Sequence, residues 1–121
     1  MARREFLILA AVLLVVPALA TDISGKWTSE FDSQIGRQHY TWEFKVQGES
    51  LTGTATQSER GTTEIKEGKV KGDEVSFVEV VQVQGQELRI SHKGKVSGDE
   101  IRFTRKVGDF TEYEIVAKRA K

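Results

Sequence analysis

The segment GKVKGDEVSFVEV, Gly68 to Val80, returns as GKVSGDEIRFTRK, Gly94 to Lys106, and a looser copy, FKVQGESLTGTAT, spans Phe44 to Thr56. A phrase used three times in 121 residues constrains the fold more than any single residue does. Apolar and polar side chains alternate on both sides of a glycine. Alternation is the period of a strand with one buried face. A glycine between two such runs supplies the positive φ of a tight hairpin turn. Each copy is therefore a strand–turn–strand unit.

The pairing follows from the turns. With Gln47-Gly48 as a two-residue loop, Val46 faces Glu49, Phe44 faces Leu51, Trp42 faces Gly53 and Tyr40 faces Ala55. Large residues then meet small ones, which suits a narrow interior. Lys71-Gly72, Gln84-Gly85 and Ser97-Gly98 are read as loops in the same way, and SQIGR, SERG and VGD supply the other turns. Strands are expected near 25–31, 38–47, 50–58, 62–70, 74–83, 86–96, 99–107 and 110–118. Ile65 and Val70 differ in parity, so a bulge is expected at Gly68. In the last strand, Tyr113 and Ile115 compete with Phe110 and Val116 for the inner face. Eight sequential antiparallel strands predict an all-β, up-and-down barrel, with the repeated turns at one end. A two-sheet sandwich is the competing arrangement.

The barrel is expected to occupy 21–121 as a single domain. Residues 1–20 read as a secretory signal peptide: Arg3 and Arg4, an apolar run from Phe6 to Val16, then Pro17 and the cleavage-site residues Ala18-Leu19-Ala20. Removing Arg3, Arg4 and Glu5 from eighteen basic and eighteen acidic residues leaves sixteen and seventeen. That near-neutral balance argues against nucleic acid as a partner. There is no cysteine, so neither disulfides nor a lipidated N-terminal cysteine enter the reading. The mature chain is expected to be secreted or periplasmic, with no membrane association after cleavage.

DISGKW, Asp22 to Trp27, resembles the first-strand opening of the calycin group, the avidins and lipocalins, and GESLTGTAT resembles the third-strand phrase of avidins. The resemblance implies that Trp27, after Gly25, closes one barrel end. It also implies that a basic residue from VAKRAK, Lys118 or Arg119, packs near it. Trp27 and Trp42 are the chain's two tryptophans. The later tryptophans that line an avidin site are missing, so biotin binding is not carried over. The chain also resembles small exported bacterial proteins that carry glycoside-hydrolase or xylanase labels.

Three polar residues fall on faces that are otherwise apolar: Glu79 among Val75, Phe77, Val81 and Val83; His92 among Leu88, Ile90 and Val96; Arg105 among Ile101, Phe103 and Val107. In the expected register Ile90 faces both Glu79 and Arg105, and His92 faces Phe103. Glu79 and Arg105 then share one level, about 10 Å apart across two strands. One reading is an internal ion pair, since a buried charge needs a partner. The other is a ligand site in which Arg105 holds a carboxylate or hydroxyl group, with Glu79, His92 and the ring of Tyr40 or Trp42 around it.

Catalysis is not expected. A glycosidase needs two carboxyl groups flanking one bond. Glu64 or Glu112 would have to join Glu79, and contact with Arg105 would hold Glu79 ionised. Ser29 has no evident His–Asp partners. His39 and His92 lie on different faces of different strands, so no metal site and no cofactor are expected. The role that follows is non-catalytic binding of a small or extended ligand, in the interior or at the mouth. A glycan-binding or glycan-processing accessory and an envelope inhibitor of another protein stand as alternatives, and the oligomeric state is not set by the sequence. Intact-mass measurement of the exported protein is expected to give an N-terminus at Thr21; retention of Met1 in a membrane fraction is the contrary result.

Overall fold

The computed structural model describes residues 22–33, 36–58 and 60–120. The signal peptide assigned to residues 1–20 lies outside them. Eight strands follow in order: β1 Gly25–Ser33, β2 Gly36–Gln47, β3 Ser50–Gln57, β4 Gly61–Lys71, β5 Glu74–Val83, β6 Gln86–Ser97, β7 Glu100–Val107 and β8 Thr111–Arg119. Each pairs antiparallel with the next, and β8 returns to β1 to close the barrel. The sandwich is excluded.

The repeated turns are built alike. Gly48, Gly72 and Gly98 each take φ of 62°, and the acidic residue that follows each does not share the positive φ. Positive then negative is the sign pattern of a type II′ turn, which wants glycine first. Gln84 and Gly85 differ, with φ of 54° and 80°. Two positive values mark a type I′ turn. The closing pairs are accordingly Gln47–Ser50, Lys71–Glu74 and Ser97–Glu100 in the repeats, but Val83–Gln86 in the other turn.

This corrects three of the four expected registers. The loops are Gly48-Glu49, Gly72-Asp73 and Gly98-Asp99, one residue later than read from the sequence. A one-residue change of loop slides the partner strand by two positions. Two is the side-chain period, so every residue keeps its face and only its opposite neighbour changes. Val46 thus faces Leu51, Phe44 faces Gly53 and Trp42 faces Ala55. The large-against-small logic survives with new partners. A Cβ at Gly53 would run into the Glu43 carbonyl oxygen, so only glycine permits that close pairing.

The copies also lock to one another. The carbonyls of Glu49, Asp73 and Asp99 accept hydrogen bonds from the amides of Val70, Val96 and Arg119, at 3.0, 2.8 and 2.9 Å. Val70 and Val96 are the valines of the repeated K-V-x-G phrase. Each turn is therefore anchored to the strand that leads into the next turn, or to the end of β8. The expected bulge in β4 is present: pairing shifts between Lys66 and Lys69, and Glu67 has φ of 56°. It turns both Ile65 and Val70 inward despite their opposite parity. In β8, Ile115 and Ala117 are buried and Tyr113 packs against the core, while Phe110 is 81% exposed.

Trp27 and Ile23 lie fully buried at the end that carries the repeated turns. The Trp27 indole N–H donates to the Ile23 carbonyl at 2.9 Å, and the Arg119 guanidinium lies 4.5 Å from the Trp27 ring centroid. Arg119 also donates to the carbonyls of Ser24 and Asp22 and to the Asp99 carboxylate. Gly25 takes φ of 120°, a backbone angle that side-chain-bearing residues rarely adopt. The opposite end is less tightly sealed. Backbone pairing between β1 and β8 is confined to Trp27–Arg119 and Thr28–Lys118, and the Ser29 hydroxyl donates to the Val116 carbonyl at 2.6 Å where that pairing stops.

Trp27→Ala removes the plug of the closed end and is expected to cost about 3–5 kcal/mol, a large share of a small domain's stability. Urea denaturation measures this; an unchanged midpoint would show that the plug is dispensable.

Candidate functional site

The interior changes character along the barrel axis. Above the plug sits an aromatic layer centred on Trp42, whose ring contacts Phe44, Phe77 and Phe103 at centroid distances of 6.4, 6.3 and 5.9 Å. Gly94 faces Phe103, and a Cβ there would crowd the Phe103 ring and the Arg102 carbonyl. Next comes a polar layer made of Glu79, His92, Arg105, Tyr40 and Tyr113. Each is placed by strand alternation on an inward position, and Glu79, His92 and Arg105 are at most 3% exposed.

Arg105 organises this layer. Its Nε donates to the Tyr113 hydroxyl at 3.0 Å, one Nη to the Tyr40 hydroxyl at 3.2 Å and the other to His92 Nε2 at 3.2 Å. The guanidinium carbon lies 5.1 Å from the Phe31 ring centroid and 4.9 Å from that of Tyr40. Arginine has only donors, so His92 Nε2 must be the acceptor and the His92 proton resides on Nδ1. That Nδ1 points toward Glu79 Oε2 at 3.8 Å, beyond hydrogen-bond range. Glu79 Oε2 accepts instead from the Trp42 indole N–H at 3.1 Å, while Glu79 Oε1 and His92 Nδ1 have no hydrogen-bond partner.

The shared level of Glu79 and Arg105 is therefore corrected. Arg105 faces His92 and Ile90 faces Val107, because the β6–β7 turn lies one residue later than expected. Glu79 still faces Ile90. Neutral His92 stands between the two charges, and they do not form an ion pair. The lowered Glu79 pKa expected from that contact is corrected with it. Burial raises the Glu79 pKa above its ordinary value of 4.5, more than the Trp42 bond, Arg105 and Tyr40 lower it. His92 goes the other way: burial, seconded by Arg105, holds it well below 6.5 and neutral. Burial opposes the charge on Arg105, but Tyr40, Tyr113 and Glu79 outweigh it and its pKa is raised. Burial also raises that of Tyr40.

Above Arg105 the barrel opens into a cavity of about 460 Å³. Tyr40, Arg105 and Tyr113 form its base, and Ile90, Leu88, Val81, Val83 and Val107 one side. Gln38, Gln57, Ser33 and Thr63 contribute to the other side, with Arg60 at the rim. Among the described residues no aspartate or glutamate lines it. Of the five residues singled out for ligand contact, Tyr40 and Arg105 reach the cavity. Glu79, His92 and Trp42 lie beneath and support them. Glu64 and Glu112 are exposed on outward positions, so neither joins Glu79. Among the described residues no group of three His, Cys, Asp or Glu side chains is arranged for a metal.

Sequence reasoning missed Gln38, Gln57 and Tyr113 as site residues. The signal for the glutamines was present: each is two residues from an inward position, Tyr40 or Ala55, and so is a polar residue on an inward face. Comparison with protein-family models, with curated proteins and with solved structures gave no significant match.

Because Glu79 is easier to protonate folded than unfolded, it contributes stability below pH 4.5 that is lost as pH rises through its raised value. His92 contributes stability above pH 6.5 that is lost as pH falls below it. Glu79→Gln imitates the protonated acid. Its melting temperature relative to wild type is expected to rise between about pH 4 and about pH 9. A relative stability that stays level or falls across that range would mean Glu79 is held as a carboxylate.

Proposed function

We propose that this protein is an exported, calycin-like binding barrel without catalytic activity, and that it takes up a small amphipathic ligand through its open end, with an anionic group seated at Arg105. The observation that carries the reading is a buried guanidinium at the base of a cavity with no carboxylate bonded to it. Its hydrogen-bond partners are all neutral: two tyrosine hydroxyls and an imidazole nitrogen. A guanidinium has five N–H donors, so two are not spent on these bonds. Tyr113 accepts from Arg105 and keeps its own hydroxyl proton to donate, while the Tyr40 hydroxyl also bonds toward Glu79. A carboxylate above them would gain charge-assisted hydrogen bonds in a site shielded from water.

The surroundings favour the same class. Arg60 and Arg105 are the charged residues of the cavity lining, which draws anions inward. The aliphatic side accepts an apolar tail. Catalysis has less support, because Glu79 is the one buried acid among the described residues and glycoside hydrolysis calls for two carboxyl groups. Export rests on the leader-like sequence of residues 1–20.

Isothermal titration with decanoate and decanol tests the reading. Decanoate is expected to bind wild type, with decanol weaker by roughly 10–100-fold, the value of charged hydrogen bonds. Arg105→Gln is expected to lose the preference. Equal affinity for acid and alcohol, or a preference that Arg105→Gln leaves unchanged, would overturn it.

A further inference from the structure

The two sides of the cavity differ in chemistry, and the difference follows the strands. Val81 and Val83 from β5, Leu88 and Ile90 from β6, and Val107 from β7 make one side aliphatic. Ser33 from β1, Gln38 from β2, Gln57 from β3 and Thr63 from β4 make the facing side polar. Solvation at the mouth does not account for this, because Gln38 is only 7% exposed. The polar side is also ordered. Gln57 Nε2 donates to Gln38 Oε1 at 2.9 Å, Gln38 Nε2 donates to Ser33 Oγ at 2.5 Å, and Ser33 Oγ lies 3.1 Å from the Gly36 carbonyl it donates to.

That chain fixes both amide planes and leaves specific groups over. A primary amide has two N–H donors and one carbonyl acceptor. Gln57 spends one N–H, and Gln38 spends one N–H and uses its carbonyl. Gln57 therefore still offers a carbonyl and an N–H side by side, and Gln38 an N–H. A trans secondary amide carries its donor and its acceptor on opposite sides, so one amide meets either group, and the two amides that flank an extended residue meet both. A hydrocarbon chain on that side would shut water out and leave the glutamine groups unpaired.

The height of the glutamines adds a position to this chemistry. Gln57 pairs with Tyr40, whose hydroxyl holds Arg105, and Gln38 pairs with Phe31, whose ring flanks the guanidinium. A carboxylate at Arg105 thus has the glutamine amides beside the next few atoms of its own chain.

We propose that the cavity selects carboxylates that carry secondary amides along one edge and aliphatic groups along the other. This is the chemistry of a short aliphatic peptide with a free C-terminus, or of an N-acyl amino acid. It rests on the reading that Arg105 seats an anionic group. The carboxylate meets Arg105 and Tyr113, the amide nearest it meets Gln57, and aliphatic side chains or the acyl tail lie on Val81, Leu88 and Ile90.

Titration of the wild-type protein with Leu-Val-Leu, its C-terminal amide, N-octanoyl-leucine and decanoate separates the possibilities. At least one of the two amide-bearing acids is expected to bind about tenfold or more tighter than decanoate, because a site built to hydrogen-bond a group discriminates against the analogue that lacks it. The tighter of the two identifies the source, peptide or acyl amino acid. The peptide amide, without its carboxylate, is expected to bind weakly. Gln57→Leu is expected to bring the ratio to decanoate close to one, with circular dichroism melting to confirm folding. If decanoate binds with dependence on Arg105 and as tightly as both amide-bearing acids, the amide inference is overturned while the anion site stands. If Gln57→Leu leaves the ratio unchanged, the polar side does not read the amide and the inference is overturned. If none of the carboxylates binds, both readings fall.

Discussion

Three turns at one end hold the interior in order. In each, a glycine at φ of 62° permits the two-residue loop, and the carbonyl of the following acid accepts an amide from a strand of the neighbouring hairpin. The loop fixes which residue closes the hairpin, and that fixes every opposite pair along it. Arg105 meets His92 rather than Ile90 for this reason alone. Each copy makes its own turn, and the second and third also anchor the turn before them through the amides of Val70 and Val96. Trp27, Ile23 and Arg119 complete that end by filling and covering it.

With one end built that way, the interior can change composition toward the other. Near the plug it is a packed aromatic core around Trp42. The Trp42 indole N–H then reaches Glu79, the deepest acid, and starts the polar layer. Two charged groups in one interior are costly unless they are paired or neutralised. Here the acid's pKa is raised by burial and the imidazole between the charges is neutral. The guanidinium lies against two aromatic rings and donates to two hydroxyls. These contacts hold Arg105 at the base of the cavity and make its unspent donors the chemical centre of the open end.

The cavity inherits its asymmetry from the strand order. The barrel is up-and-down, so neighbours in sequence are neighbours in space. Polar inward residues in the first half of the chain and aliphatic ones in the second half therefore become two facing sides. A sandwich or a Greek-key order would have mixed them. The short β1–β8 pairing sits where the two halves meet, and the Ser29 hydroxyl takes over a carbonyl there.

The sequence by itself determined the eight strands, their order and the inward faces of all but β8, because strand periodicity is local and survives a two-residue slide. It also marked the bulge at Gly68 and the unusual inward positions of Glu79, His92 and Arg105. Gln38 and Gln57 were legible by the same rule. Tertiary structure decided what those residues touch. The choice between type I′ and type II′ turns depends on which turn residue carries positive φ, and K-V-x-G-[DE] does not settle that without the neighbouring strand whose amide binds the acid's carbonyl. The protonation of Glu79 and His92 likewise depends on burial and on contacts between residues far apart in the chain, from Trp42 to Glu79 and from Tyr40 to Arg105. No local pattern encodes those contacts, because closure of the barrel creates them.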